Sequence, residues 1–461
     1  MTRRLYSFLM WLAEPFLRLR LAQRGVREPG YLEAQAERFG HYASEPCPSA
    51  AGLIWLHAVS LGETRAAGVL LLALRERLPA MRLLLTHGTA TGWAEGAALL
   101  RPGDLQTWQP WDSPGAVRRF LEHFKPRIGI LMETEVWPNL AARCQQVGLP
   151  LVLANARLSE KSQRLALRLA WLARPAYRGL SAVWAQTQDD ALRLESLGAK
   201  VQGVFGNLKF DATPDALQLA TGRAWRSRVA CPVVMLASSR AGEEDALLQI
   251  VQSLHSKVKV KQVSGAMNAE AGAVQWLIVP RHPQRFDEVA AMIEAHGFAV
   301  SRRSSWRDQP PAFGYSGVAD KVSVMVGDQP RETVWLGDSL GEMALYYGLA
   351  DVALLGGSFE PLGGQNLIEA AACACPVLMG PHTFNFAEAA QLAQAAGAAK
   401  RVPSLTDAVA AALVLVHNAP QLQAARQAAD TFARTHRGAS ERLVTAIEQV
   451  LEGTLTRPAG R

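Results

Sequence analysis

Gly356-Gly-Ser-Phe-Glu-Pro-Leu-Gly-Gly-Gln-Asn-Leu-Ile-Glu369 follows the short apolar run Asp351-Val-Ala-Leu-Leu355 and leads into an alanine-rich segment. The run reads as a buried strand and the segment as a helix, so the stretch is a strand-to-helix junction of an α/β fold. Its four glycines let the backbone pass close to a ligand. Asn366 is placed to cap the helix, with Glu369 three residues on. Backbone N–H groups and the positive end of a helix dipole then face one point, which suits an anionic group. A glycine-rich connection with an ordinary cap has the same letters, so recurrence of the junction decides between them.

The junction recurs. Leu53-Ile-Trp-Leu-His-Ala58 reads as a strand that runs into Val59-Ser-Leu-Gly-Glu-Thr-Arg65 ahead of a helix from 66 to 77. Its tetrapeptide Ser60-Leu-Gly-Glu63 returns as Ser339-Leu-Gly-Glu342, after the strand Thr333-Val-Trp-Leu336. Ser60 and Glu63 have capping-box spacing, while a carboxylate at the end of a first parallel strand faces the crevice where such sheets bind ligands. Both roles compete for one side chain. Three such junctions, gathered by two doubly wound domains across a cleft, point to an active site between domains.

Working outward, further strands fall at 83–86, 127–132, 150–154, 182–185, 201–205, 233–237 and 276–279. The strand at 127–132 ends in Glu133-Thr-Glu135, and persistent strand geometry sends these two carboxylates to opposite faces. Asn207-Leu-Lys-Phe-Asp211 puts Lys209 after another strand, as a surface lysine or as a cation over a site. Pro280 and Pro283 hold Arg281 and His282 extended, and an arginine fork there suits a phosphate or carboxylate. Asp211 to Arg228 reads as the inter-domain connection, and Leu254 to Gln275 and Ser304 to Gly317 as surface insertions.

A chain of 461 residues exceeds one ordinary core. The expected division is an N-terminal helix at 1–30 and Rossmann-like α/β domains at 31–215 and 225–450. The net charge is +7, with Arg3, Arg4, Arg18, Arg20, Arg24 and Arg27 crowded at the start. That balance suits a membrane surface or a phosphorylated substrate, and the missing basic–aromatic interleaving argues against nucleic acid. Leu5, Phe8, Leu9, Leu12, Phe16 and Leu19 recur at helical spacing, but Glu14, Pro15 and Arg18 interrupt the run short of a span. An amphipathic helix lying on the inner leaflet is expected, with packing on the protein's own core as the alternative. Five scattered cysteines suit a reducing compartment, Cys373 and Cys375 as core residues, and no zinc spacing, P-loop or Asp-x-Asp pair is present.

Assembled in order, these motifs resemble the Kdo transferases of lipopolysaccharide synthesis, which move 3-deoxy-D-manno-octulosonic acid (Kdo) from CMP-Kdo onto a lipid A precursor. The likeness runs nearly end to end. It is carried by His57-Ala-Val-Ser-Leu-Gly-Glu-Thr64, Met132-Glu-Thr-Glu-Val-Trp-Pro-Asn139, Asn155-Ala-Arg-Leu-Ser159 and Asn207-Leu-Lys-Phe-Asp211. Val279-Pro-Arg-His-Pro283, Gly337-Asp-Ser-Leu-Gly-Glu342, Gly356-Gly-Ser358, Gly363-Gly-Gln-Asn366 and Gly380-Pro-His-Thr-Phe-Asn-Phe386 complete it. Gln365 stands where many members have histidine, and Ser239-Arg240 where Thr-His is common.

The resemblance implies an inverting, metal-independent glycosyltransferase of GT-B type, with no cofactor. It implies a location at the cytoplasmic face of the cell inner membrane and lipid IVA as acceptor. Carried over by motif, Glu63 is the general base, with Glu133 and Lys209 as transition-state stabilisers. Donor contacts fall at Pro280, Arg281, Leu340, Gly341, Glu342, Asn366, Leu367, Ile368 and Glu369. A nucleotide-sugar 2-epimerase on a similar frame and a non-catalytic lipid-binding adaptor are the competing readings.

Overall fold

The computed structural model describes residues 3–47, 52–263, 274–307, 323–326 and 329–455. They form two compact units, Met1–Asp211 with His436–Arg461, and Ala212–Thr435.

The first unit is built on seven parallel strands, β1 (Leu53–His57), β2 (Arg82–His87), β3 (Leu105–Trp108), β4 (Ile128–Met132), β5 (Leu151–Ala156), β6 (Ala182–Ala185) and β7 (Val201–Val204). Their order is β3-β2-β1-β4-β5-β6-β7. The chain therefore steps outward from β1 and then crosses back to β4, leaving a topological switch point between those two strands. Every residue of β1, β4 and β5 is buried, as expected where helices cover both faces of a parallel sheet. Alternate side chains serve opposite layers. Leu53 and Trp55 pack with Phe120 and Leu140, whereas Ile54 and Leu56 pack with Leu70, Leu74, Leu443 and Ile447.

The last two of those partners belong to the helix Ala439–Leu455, which returns to the first unit. Asp211 secures the return, its carboxylate accepting the N–H of Gly438 at 2.7 Å and of Ser440 at 2.5 Å. The helix Arg3–Arg27 is held along one side, where Ser7 donates to the Asn139 side chain at 2.9 Å and Leu21 packs with Tyr31 and Phe39. Phe8, Leu9, Trp11, Leu12, Phe16 and Leu19 of the same helix remain at least half exposed to within a few per cent, from 49% to 66%. Among the described residues, no helix is long and apolar enough to cross a membrane.

The second unit carries β8 (Val233–Ser239), β9 (Gln275–Pro280), β10 (Ala299–Arg302), β11 (Ser323–Val326), β12 (Gln329–Leu336), β13 (Val352–Leu355), β14 (Val377–Met379) and β15 (Ala399–Arg401). Seven run parallel in the order β10-β12-β9-β8-β13-β14-β15, and β11 pairs antiparallel with β12. The switch point lies between β8 and β13, beside β9. Both units are α/β with Rossmann-like parallel sheets.

Several expectations are corrected. The second unit ends at Thr435 and begins at Ala212, so the limits 31–215 and 225–450 miss the exchange of the C-terminal helix. Within the supposed connection, Ala216–Arg226 is a helix with Gly222 and Trp225 buried. The supposed insertion after Leu254 begins as helix, because Glu243–Val263 continues through it, and Gln275 is a fully buried strand residue. Residues 264–273 of that stretch lie outside the described residues. Of the insertion at 304–317, Trp306 is buried and 308–317 lies outside the described residues.

Candidate active site

In the first unit, Ser60 caps the helix Leu61–Arg77, and Glu63 sits in its first turn. The Glu63 carboxylate accepts the Val59 N–H at 3.0 Å and the Ser60 hydroxyl at 3.3 Å. Ser60 caps the helix, and Glu63 reaches past it to the Val59 N–H, a variant of the capping box that aims the carboxylate. Burial pushes the Glu63 carboxyl up to about 7; the Val59 N–H opposes that rise, while the charges of Glu133 and Glu135 add to it.

Those two carboxylates arrive because the strand does not persist. β4 stops at Met132, and Glu133 takes a left-handed backbone with φ of 56°. The charges of both Glu133 and Glu135 raise the Glu63 carboxyl. Glu133 is buried, with one oxygen 3.0 Å from the Arg157 guanidinium and the other 4.0 Å from the Lys209 ammonium.

Lys209 is placed by a chain of side-chain amides. Asn155, also left-handed at φ 52°, accepts the Leu208 N–H at 3.0 Å through its side chain. Gln186 bonds the Asn155 carbonyl at 2.8 Å and the Asn207 amide at 2.9 Å, and Asn207 in turn accepts the Lys209 N–H at 3.0 Å. Non-glycine residues in this conformation are uncommon and gather where the backbone is constrained for function. Glu63, Glu133, Lys209 and Arg157 thus form one cluster at the carboxyl ends of β1, β4, β5 and β7. Arg157 is the member the sequence reasoning did not single out, although the motif Asn155-Ala-Arg-Leu-Ser159 contained it.

In the second unit the donor-side residues divide into three turns. Pro280 closes β9 and is buried, and the Arg281 N–H donates to the Ser239 carbonyl at 3.0 Å. Asn366 caps the helix Leu367–Ala372 by accepting the Ile368 N–H at 3.1 Å, and its amide donates to Glu369 at 3.0 Å. Leu367 and Ile368 are fully buried, so their side chains serve the core and only backbone atoms could meet a ligand. That helix has six residues, so local N–H groups rather than a long macrodipole face outward there.

The third turn departs from expectation. Ser339-Leu-Gly-Glu342 repeats Ser60 to Glu63 in letters but not in structure: its helix starts at Met343, with Glu342 at the cap position and no side-chain cap bond. Ser339 donates to Glu342 instead, and Arg303 takes the other Glu342 oxygen at 2.7 Å. Gly341 is left-handed at φ 77°, whereas Gly62 is helical. Leu340 stands exposed beside it.

The glycine turn is also different from its reading. Gly356 passes so close to β8 that a Cβ would lie 2.5 Å from the Ser238 carbonyl oxygen. Yet the N–H of Gly357 points to the buried carboxylate of Glu243, which also accepts from Phe359 at 3.3 Å and Arg240 at 3.0 Å. The chain's own carboxylate occupies the amides that seemed free for an anionic ligand.

A family model described as 3-deoxy-D-manno-octulosonic-acid transferase (kdotransferase) matches residues 33–212. The 3-deoxy-D-manno-octulosonic acid transferase of Bordetella pertussis is 44% identical over 98% of this chain and 100% of its own. The chain belongs to the 3-deoxy-D-manno-octulosonic acid transferases. It is a glycosyltransferase. Other relatives include the Haemophilus influenzae transferase, 29% identical over 98% of this chain and 99% of its own. A probable mitochondrial 3-deoxy-D-manno-octulosonic acid transferase of Arabidopsis thaliana is 31% identical over 85% and 83%. Among solved structures, the UDP-GlcNAc 2-epimerase of Neisseria meningitidis shares the fold at a TM-score of 0.53, with 14% identity over 86% of this chain and all of its own. A glycosyltransferase of Rickettsia africae does so at 0.50, with 12% identity over 88% and 99%. The fold is therefore common to epimerases and transferases, and membership of the Kdo transferases rests on sequence.

Proposed function

We propose that this Kdo transferase moves Kdo from CMP-Kdo to the lipid A precursor lipid IVA, with inversion and without a metal. The observation that supports it most is the half-buried Glu63 carboxyl, raised to about 7 and set beside Glu133, Lys209 and Arg157. A sugar hydroxyl is a weak nucleophile until a base takes its proton during attack, and a carboxyl with that affinity is matched to the task. Glu63 removes the proton, the acceptor oxygen bonds to the anomeric carbon of Kdo, and the bond from that carbon to the CMP phosphate oxygen breaks. The electron pair leaves with CMP.

As that bond opens, positive charge grows at the anomeric centre, which favours the nearby Glu133 carboxylate. Arg157 and Lys209 lie against the two oxygens of that buried carboxylate. Arg281 and the amides of the donor turns receive the departing phosphate. The exposed apolar side of Arg3–Arg27, with its arginines, supports seating on the cytoplasmic face of the inner membrane.

The test is incubation with CMP-Kdo and lipid IVA in chelator, with products read by mass. Addition of Kdo by the wild type, and its loss in a folded Glu63→Gln variant, is the expected result. No mass gain with wild type ends the reading and favours the adaptor, and unimpaired turnover by Glu63→Gln removes Glu63 as the base.

A further inference from the structure

The register of the second sheet pairs Ser239 of β8 with Pro280 of β9. The next residue on each strand is an arginine, Arg240 and Arg281, and the Arg281 N–H bond to the Ser239 carbonyl holds the two exits side by side. Both side chains are half-buried. Among the described residues, neither guanidinium has a hydrogen-bond or ion-pair partner, whereas neighbouring Arg285 is bound by Glu244 at 2.6 Å and Glu288 at 3.0 Å. Two unneutralised arginines leaving neighbouring strand ends place positive charge at one edge of the sheet, which an arriving anion offsets.

The position of Arg240 is fixed from below. Its N–H is held by Glu243, the same carboxylate that holds Gly357 and Phe359, so residue 240 is tied to the glycine turn. Its side chain runs over that turn, with Cγ 3.5 Å from where a Cβ at Gly357 would lie. Ser238, two residues before it, is left-handed at φ 53°, which turns the chain out of the strand. The field of the cluster registers on the exposed His282, held below its ordinary value by desolvation and by Arg240, Arg281 and Arg285.

We propose that Arg240 is a second guanidinium for the donor phosphate, completing with Arg281 a two-arginine anion site at the ends of β8 and β9. This rests on the reading of CMP-Kdo as donor. One planar fork can take two oxygens of a phosphoryl group, and a second adds donors and charge for the oxygen that the first leaves unbound. A guanidinium keeps its charge at pH values where an imidazole at the same place would be neutral.

The experiment measures binding of CMP-Kdo, CMP and cytidine to the whole protein by calorimetry, for wild type, Arg240→Met and Arg240→His. Wild type is expected to prefer CMP. Arg240→Met is expected to weaken CMP roughly ten- to a hundred-fold, the range of a lost charge-assisted bond, and leave cytidine unchanged. Arg240→His should bind CMP near wild-type strength at pH 5.5 and weakly at pH 8, while wild type changes little. Equal CMP affinity in wild type and both Arg240 variants overturns the proposal and leaves the donor reading intact. A loss confined to CMP-Kdo, with CMP unaffected, also overturns it and moves Arg240 to the sugar carboxylate. No preference of wild type for CMP over cytidine overturns both.

Discussion

Both oxygens of Glu243 lie 2.8 Å from the N–H of Gly357. A buried carboxylate thus organises the glycine turn from inside the protein, and the face left for a ligand is the side chain and backbone surface above it. Glu243 joins β8's exit to the turn after β13, since it also binds Arg240 and Phe359. This explains why a glycine-rich stretch after a strand need not itself be the anion cradle.

Glu243→Ala leaves the N–H groups of Arg240, Gly357 and Phe359 without their acceptor. The expected loss is about 3 kcal/mol in urea unfolding, given about 1–3 kcal/mol for a buried polar group left unmatched. Glu243→Gln, which keeps one acceptor oxygen, should fall between. Equal stability of wild type and Glu243→Ala would show that the turn holds itself.

Glu63 must be ionised to act as a base, so kcat/KM for the acceptor is expected to rise with pH through about 7 and level above it. Stability runs the other way. The folded carboxyl is raised above its ordinary 4.5, so the folded state binds the proton more tightly. Its contribution is present below about 4.5 and is lost as pH rises to about 7. Glu63→Gln keeps the cap, loses turnover, and should gain stability over wild type at pH 8 relative to pH 4.5, read by thermal melts at the two values.

Arg157 reaches Glu133 at 3.0 Å, closer than Lys209 at 4.0 Å. Arg157→Met is expected to lower kcat by roughly ten-fold or more by removing a charge-assisted bond from a buried carboxylate. The KM for CMP-Kdo should change little. Arg157→Lys should recover part of kcat. An unchanged kcat in Arg157→Met, by steady-state assay, would leave Lys209 alone to hold Glu133.

The two Ser-Leu-Gly-Glu copies should respond differently to the same change. Ser60→Ala removes a helix cap and is expected to cost about 1 kcal/mol in denaturant melts. Ser339 caps nothing, so Ser339→Ala should alter stability less but release one oxygen of Glu342, the other staying with Arg303, and raise the donor KM. Equal destabilisation by both changes would contradict the different roles.

Much of the frame was legible. The continuous apolar runs of β1, β4, β5, β8 and β13 could be read because central parallel strands are buried on both faces. Several strands toward the sheet edges were not, although Val201–Val204 was: Leu105–Trp108, Ala299–Arg302 and Ala399–Arg401 carry polar residues, and Val377–Met379 is three residues long inside an apolar stretch. Glu63, Glu133 and Lys209 were legible as motif members, and Arg157 was not, because only the left-handed turn at Glu133 shows which cation meets its carboxylate.

The sequence by itself determined two α/β units, their central strands, the cap at Ser60 and the membership of a family, since these depend on residues near one another in the chain or on ordered motifs. Tertiary structure decided that the helix Ala439–Leu455 closes the first core, that Glu243 fills the glycine turn, and that Arg303 draws Glu342 away from a capping box. Each depends on a partner distant in the chain, 114 residues for Glu243 and Gly357 and 39 for Arg303 and Glu342. A hydrogen bond responds to which atoms are nearby in space, and the same four letters take different shapes when a guanidinium from elsewhere competes for the carboxylate.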